Sequence, residues 1–140
     1  MKDTFKRLDD PGILENYDVI KISGGEPTLC PSKIQSIQKW ARTGAKVYMY
    51  SNGADIDVWV KFYEDGGWGV TYSPHTSIDW EACKRVRAHG FPLRVRLKSG
   101  VYEEHIITWL TDIGCTVDLW TEGVCDTVPE DRWDASELIF

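Results

Sequence analysis

The segment Lys21-Ile22-Ser23-Gly24-Gly25-Glu26-Pro27-Thr28-Leu29-Cys30-Pro31 changes character at its middle. It leaves a β-type run, Asp18-Val-Ile-Lys-Ile-Ser23, through two glycines, and enters a proline-flanked stretch that opens a helical pattern. Two adjacent glycines at the carboxyl end of a strand let the backbone come close to a ligand. In α/β sheets that end is where ligands bind. Glu26 adds a fixed anion suited to an ammonium group, a hydroxyl donor or a metal, and Pro27 stiffens the exit from the turn. Taken alone, Gly-Gly-Glu-Pro is no more than a tight turn with Glu26 in solvent.

The same unit repeats outward from this segment. Further β-type runs are Lys46–Ser51, Trp68–Ser73, Leu93–Leu97 and Thr116–Trp120, and the five starts lie 22 to 28 residues apart, the length of one strand plus one helix. Between them Ile34, Ile37, Trp40 and Ala41 keep helical spacing, as do Ile56, Trp59, Val60 and Tyr63. Ile78, Ala82 and Val86 continue the pattern, and Ile106, Leu110 and Ile113 complete it. Gly44, Gly66, Gly90 and Gly114 stand where each helix should end. Thr76-x-x-Asp79 and Ser99 stand where helices need caps. Trp40, Trp59 and Trp109 fall on faces expected to pack on the sheet, whereas Trp120 and Trp133 could cover an edge or meet a partner. Four βα units closing on a fifth strand predict one α/β domain over residues 1–140. Its core covers about 13–125, Phe5, Leu8, Ile13, Leu14 and Tyr17 suggest a short helix before it, and 126–140 form a tail without a repeat.

Composition narrows the function classes. A length of 140 residues suits a single core. A net charge of −6 speaks against phosphate-driven nucleic-acid binding, and the basic stretch from Lys84 to Lys98 alternates with apolar residues as a solvated helix and strand face would. No apolar run is long enough to span a membrane, and the charged amino end lacks an apolar leader, so the expected location is cytoplasmic. Cys30, Cys83, Cys115 and Cys125 are 53, 32 and 10 positions apart and contain no C-x-x-C, so free thiols are expected.

The string KISGGEPTLCP, followed by a helix and by a second strand ending Tyr50-Ser51-Asn52-Gly53, resembles the radical S-adenosylmethionine superfamily. In that family a strand ending G-G-E-P is followed by a helix and a strand ending T-N-G or S-N-G. The resemblance covers about residues 13–125 and implies strands two to six of a partial (β/α) barrel lacking the first strand. It implies that Gly24, Gly25 and Glu26, with Pro27, Ser51 and Asn52 beside them, hold the methionine end of S-adenosylmethionine. It also places Ser73 and His75 near the ribose, and sets Lys98, Ser99, Thr121 and Glu122 around the same mouth.

The family binds a [4Fe–4S] cluster through C-x3-C-x2-C after its first strand, and this sequence contains no such motif. No cluster is therefore expected from this chain alone. The expectation is a degenerate, non-catalytic binding or regulatory module that retains S-adenosylmethionine at the Gly24-Gly25-Glu26 face. The alternative is one half, or a fragment, of a radical S-adenosylmethionine enzyme whose cluster cysteines come from another polypeptide segment. A cluster-free enzyme using Glu26 as base, and a single metal held by Glu26, Cys30, His75 and Cys125, are weaker readings. A sheet without its first strand exposes an edge, so a homodimer or a partner protein is expected there. The small size would suit a phage or mobile-element protein.

Overall fold

The computed structural model describes residues 11–75, 77–121, 124–125 and 136–139. Strands β1 (Val19–Ser23), β2 (Lys46–Ser51), β3 (Gly69–Tyr72), β4 (Leu93–Lys98) and β5 (Thr116–Thr121) alternate with helices α1 (Pro31–Trp40), α2 (Ile56–Glu64), α3 (Trp80–Ala88) and α4 (Glu104–Asp112). The five strands are parallel and pair in the order in which they occur in the chain. Their bounds agree with the sequence periodicity to within one residue at each end. Two more strands emerge from the region that shows no pattern in sequence. β6 (Val124–Cys125) runs antiparallel to β5, and β7 (Ser136–Ile139) runs parallel along the outer edge of β1, with Lys21 opposite Glu137. The β1 edge expected to lie open to a partner is thus occupied by the chain's own β7. A parallel edge offers unpaired amides and carbonyls, and β7 satisfies them.

Right-handed crossovers between strands adjacent in the chain put all four helices on one face. That face carries Ile20, Ile22, Val47, Met49, Val70, Leu93, Val95 and Leu97, all buried against Ile34, Ile37, Trp59, Phe62, Val86 and Leu110 of the helices. Each such side chain contributes roughly 1.5–3 kcal/mol on burial. A short 3-10 helix, Pro11–Asn16, adds Leu14 to the same core. Asp55 and Asp79 cap α2 and α3 by accepting from Asp57 N and Ala82 N. Ser99 is not a cap: its amide donates to Trp120 O, and α4 starts only after Glu103. The turn at Gly100 prolongs the β4 exit and delays the helix. Thr76, Trp133 and the residues before Pro11 lie outside the described residues.

The opposite face of the sheet is polar by strand alternation: Lys21, Tyr48, Tyr50, Thr71, Arg94, Arg96 and Asp118 share it. Arg94 and Arg96 of β4 are therefore not a solvated face, whereas Lys98 of the same strand and Lys84 and Arg85 of α3 are exposed as the alternation suggested. The Arg94 side chain is 16% exposed and lies 3.1 Å from a carboxylate oxygen of Asp118, which is 2% exposed. Trp59 is fully buried and Trp40 packs partly against the core, but Trp109 is half exposed. Leu110 takes the core-facing position of α4 and turns Trp109 to the flank, where its ring meets Trp80 edge-on at 5.5 Å. No helix among the described residues is long and apolar enough to cross a membrane.

Candidate functional site: a carboxylate clamp between two loops

Gly24 and Gly25 both have positive φ, 81° and 56°, so the chain leaves β1 in a conformation that side chains with a Cβ resist. This double bend turns Glu26 back toward β2, and Pro27 then starts a 3-10 turn, Pro27–Leu29. The Glu26 side chain is half-buried and its carboxylate is taken up by the protein's own donors. Its Oε2 accepts from Thr28 N at 3.1 Å, from the Thr28 hydroxyl, and from Ser51 Oγ at 2.8 Å. Its Oε1 accepts from Asn52 N at 2.7 Å. Four donors on one carboxylate make a charge-assisted clamp that ties the β1 loop to the end of β2.

The clamp has an inner support. Ser51 Oγ donates to Glu26 and accepts from Trp59 Nε1 at 2.8 Å and from Gly53 N at 3.1 Å. A hydroxyl has one proton and two lone pairs, so Ser51 is fully used. Trp59 reaches it from the core face of α2 and packs edge-on against Tyr72 at 5.1 Å. Asn52 Oδ1 accepts from Ala54 N, closing the turn that leads into α2.

Of the residues expected at the site, Gly24, Gly25, Glu26, Pro27, Ser51 and Asn52 come together. Ser73 follows β3 at the same end, its amide donating to Ser51 O at 2.8 Å. Lys98 ends β4 on the exposed rim, with Nζ 5.7 Å from the centre of the Trp120 ring. His75 and Ser99 are exposed. Glu122 and the Thr121 side chain lie outside what is described. Thr28 and Trp59 are parts of the clamp that sequence reasoning missed. Thr28 stands two residues beyond Glu26, a spacing at which a hydroxyl can reach back, but nothing local points Trp59 toward Ser51.

The cysteines are spread over the fold. Cys30 precedes α1 near the clamp, whereas Cys83 in α3 and Cys115 just before β5 are buried toward the other end of the strands. Cys125 belongs to β6, at the outer edge of β5. Among the described residues no group of three or more His, Cys, Asp or Glu side chains is placed to hold a metal ion.

On the polar face, burial pushes the Tyr48 phenol above its usual range, partly offset by the nearby Arg94 cation. A cavity of about 130 Å3 lies at the amino ends of the strands between Tyr48, Trp68, Thr71, Arg94 and Thr116. It is smaller than the roughly 300 Å3 that small-molecule pockets start from. A larger cavity of about 470 Å3 opens beside Trp80, Lys84, Trp109 and Ile113, whereas the clamp holds two loops at the carboxyl ends of β1 and β2, the end of the strands at which α/β sheets generally take ligands. Comparison with protein-family models, with curated proteins and with solved structures finds no match to this chain.

Proposed function

We propose that this chain is a radical-S-adenosylmethionine-like binding module that works without an iron–sulfur cluster. Its ligand is a small zwitterionic or nucleoside-type molecule, with S-adenosylmethionine the first to test. The ligand would lie over Gly24-Gly25, flanked by Asn52, Ser73 and Lys98. The observation that carries this reading is the Glu26 clamp. A carboxylate already taking four hydrogen bonds is poorly placed to serve as a general base or metal ligand. The same bonds hold both loops before any ligand arrives, which lowers the ordering cost of binding.

The alternative, half of a split enzyme, needs a strand supplied beside β1. That position is filled by β7, so the self-contained module is preferred. A homodimer or partner protein would likewise need a surface other than the β1 edge.

Isothermal titration with S-adenosylmethionine and S-adenosylhomocysteine tests the proposal. Saturable heat with the intact chain, weakened by Lys98→Ala and by Glu26→Ala, is the expected result. A folded protein giving no heat at millimolar ligand would refute it. Anaerobic reconstitution with iron and sulfide that yields a cluster on this chain alone would refute the cluster-free half.

A further inference from the structure

Two tryptophans meet on the surface of the helix layer, where α3 lies beside α4. Trp80 opens α3 and is half-buried, while Trp109, in the last turn of α4, is 51% exposed. Their ring planes cross at 68° with centres 5.5 Å apart, so they form a corner rather than a stack. His105 braces Trp109 from the same helix, with its ring 4.8 Å away, and pairs in turn with Glu103 at 3.0 Å. Helical spacing builds the rest of the wall. Lys84 stands one turn after Trp80, and Asp112 and Ile113 stand three and four positions after Trp109. With Glu81 these residues line a cavity of about 470 Å3, a volume within the range of small-molecule sites.

The charges of this groove select a cation. Lys84 lies 3.5 Å from Glu81, so those two offset each other. Asp112 then leaves a net negative charge, and it has no ion-pair partner among the described residues. It is the last residue of α4, whose final turn carries no basic side chain, so its carboxylate and the negative end of the helix dipole add together. The indole faces present the negative side of the ring quadrupole as well. We propose that the α3–α4 groove binds a small quaternary ammonium ion, its methyl groups against Trp80 and Trp109 and its charge facing Asp112.

Methylation decides between the possible cations. A primary ammonium or a guanidinium gives up hydrogen bonds to water on entering a site and needs acceptors there in exchange. Walls made of two indoles and the Ile113 side chain offer few. A quaternary ammonium has no N–H to satisfy, and its charge is spread over methyl groups that pack on an aromatic face. A neutral ligand of the same shape gains nothing from Asp112 or the helix end, and an anion is repelled by both. The groove shares no residue with the Glu26 clamp, so it stands whether or not the Gly24-Gly25 face takes S-adenosylmethionine.

The test is titration of the full chain with choline chloride, at ionic strength held constant with sodium chloride, followed through the tryptophan indole N–H resonances. Saturable shifts of the Trp80 and Trp109 signals are expected. The carbon isostere of choline, with a tert-butyl group in place of the trimethylammonium, should bind at least about fivefold more weakly. Asp112→Asn should weaken choline binding about three- to tenfold, and Trp109→Ala about tenfold or more. No saturable shift up to about 100 mM choline, which is weaker than any affinity two aromatic faces and a carboxylate should give, overturns the site. Equal affinity for the isostere overturns the choice of a cation, and choline binding unchanged in Trp109→Ala overturns its place in this groove. Choline and its isostere are compared on the wild-type chain, so that result decides even where a variant folds poorly.

Discussion

Ser51→Ala probes the clamp most directly, because one oxygen atom carries three of its hydrogen bonds. Removing it leaves Trp59 Nε1–H without an acceptor where Trp59 is fully buried and Ser51 is 4% exposed, so water does not replace the lost partner. An unsatisfied buried donor costs about 1–3 kcal/mol. Losing the bond from Gly53 N adds about 1 kcal/mol, and losing the donor to Glu26 adds a similar amount, since three other donors remain on that carboxylate. The sum is about 3–5 kcal/mol, a large share of the roughly 5–15 kcal/mol that holds a domain folded. With a urea slope of about 1.75 kcal/mol per molar, the unfolding midpoint should fall by about 1.7–2.9 M at unchanged slope. Trp59→Phe keeps the ring packing and removes the donor, so the double variant should cost less than the two single changes added together. A coupling of about 1–2 kcal/mol is expected from the cycle. A midpoint shift below about 0.3 M for Ser51→Ala, or strict additivity in the cycle, would refute the view that Ser51 links Trp59 to Glu26.

Other expectations follow from the same structure. The Tyr63 phenol donates to Pro92 O and accepts from Val70 N at 2.8 Å, and burial raises its ionisation well above the ordinary 10.0. Because the folded state keeps this proton longer than the unfolded state, stability should be level below about pH 10 and fall above it. Alkaline urea titrations should show that fall, and Tyr63→Phe should reduce it. Gly114→Ala combines a positive φ of 92° with a clash against Arg87, whereas Gly44→Ala, at 88°, meets open space. Gly44→Ala should cost about 1 kcal/mol, and Gly114→Ala should cost measurably more by thermal or urea unfolding. Glu26→Gln keeps the shape of the side chain but loses the charge and presents an amide to donors. It should destabilise by about 1–3 kcal/mol, and a neutral result in urea would mean the carboxylate is not the clamp. Sedimentation velocity over a wide concentration range tests association: a monomer throughout would remove the homodimer.

The alternation of Val19–Ser23, Lys46–Ser51 and Leu93–Lys98, the helical spacing between them and the terminal glycines were legible in the amino-acid sequence. They report backbone sterics and burial on one side of each element, which are local properties. The gathering of the Gly24-Gly25-Glu26 loop beside Ser51-Asn52 was legible too, since strands that follow one another through short crossovers become neighbours. What Glu26 does there was not. Its partners at Ser51 and Asn52 are 25 and 26 residues away, and only the register of β1 on β2 brings them within hydrogen-bonding reach. The same limit hid β7, whose four residues gain their meaning from the unpaired edge of β1 rather than from their own pattern. It hid the burial of Arg94 against Asp118, which depends on β4 lying next to β5. Sequence determined which segments become strands and helices and which loop ends their first unit. Tertiary structure decided which distant groups touch, because contact across a sheet depends on strand order and register, and neither is written in the periodicity of any single segment.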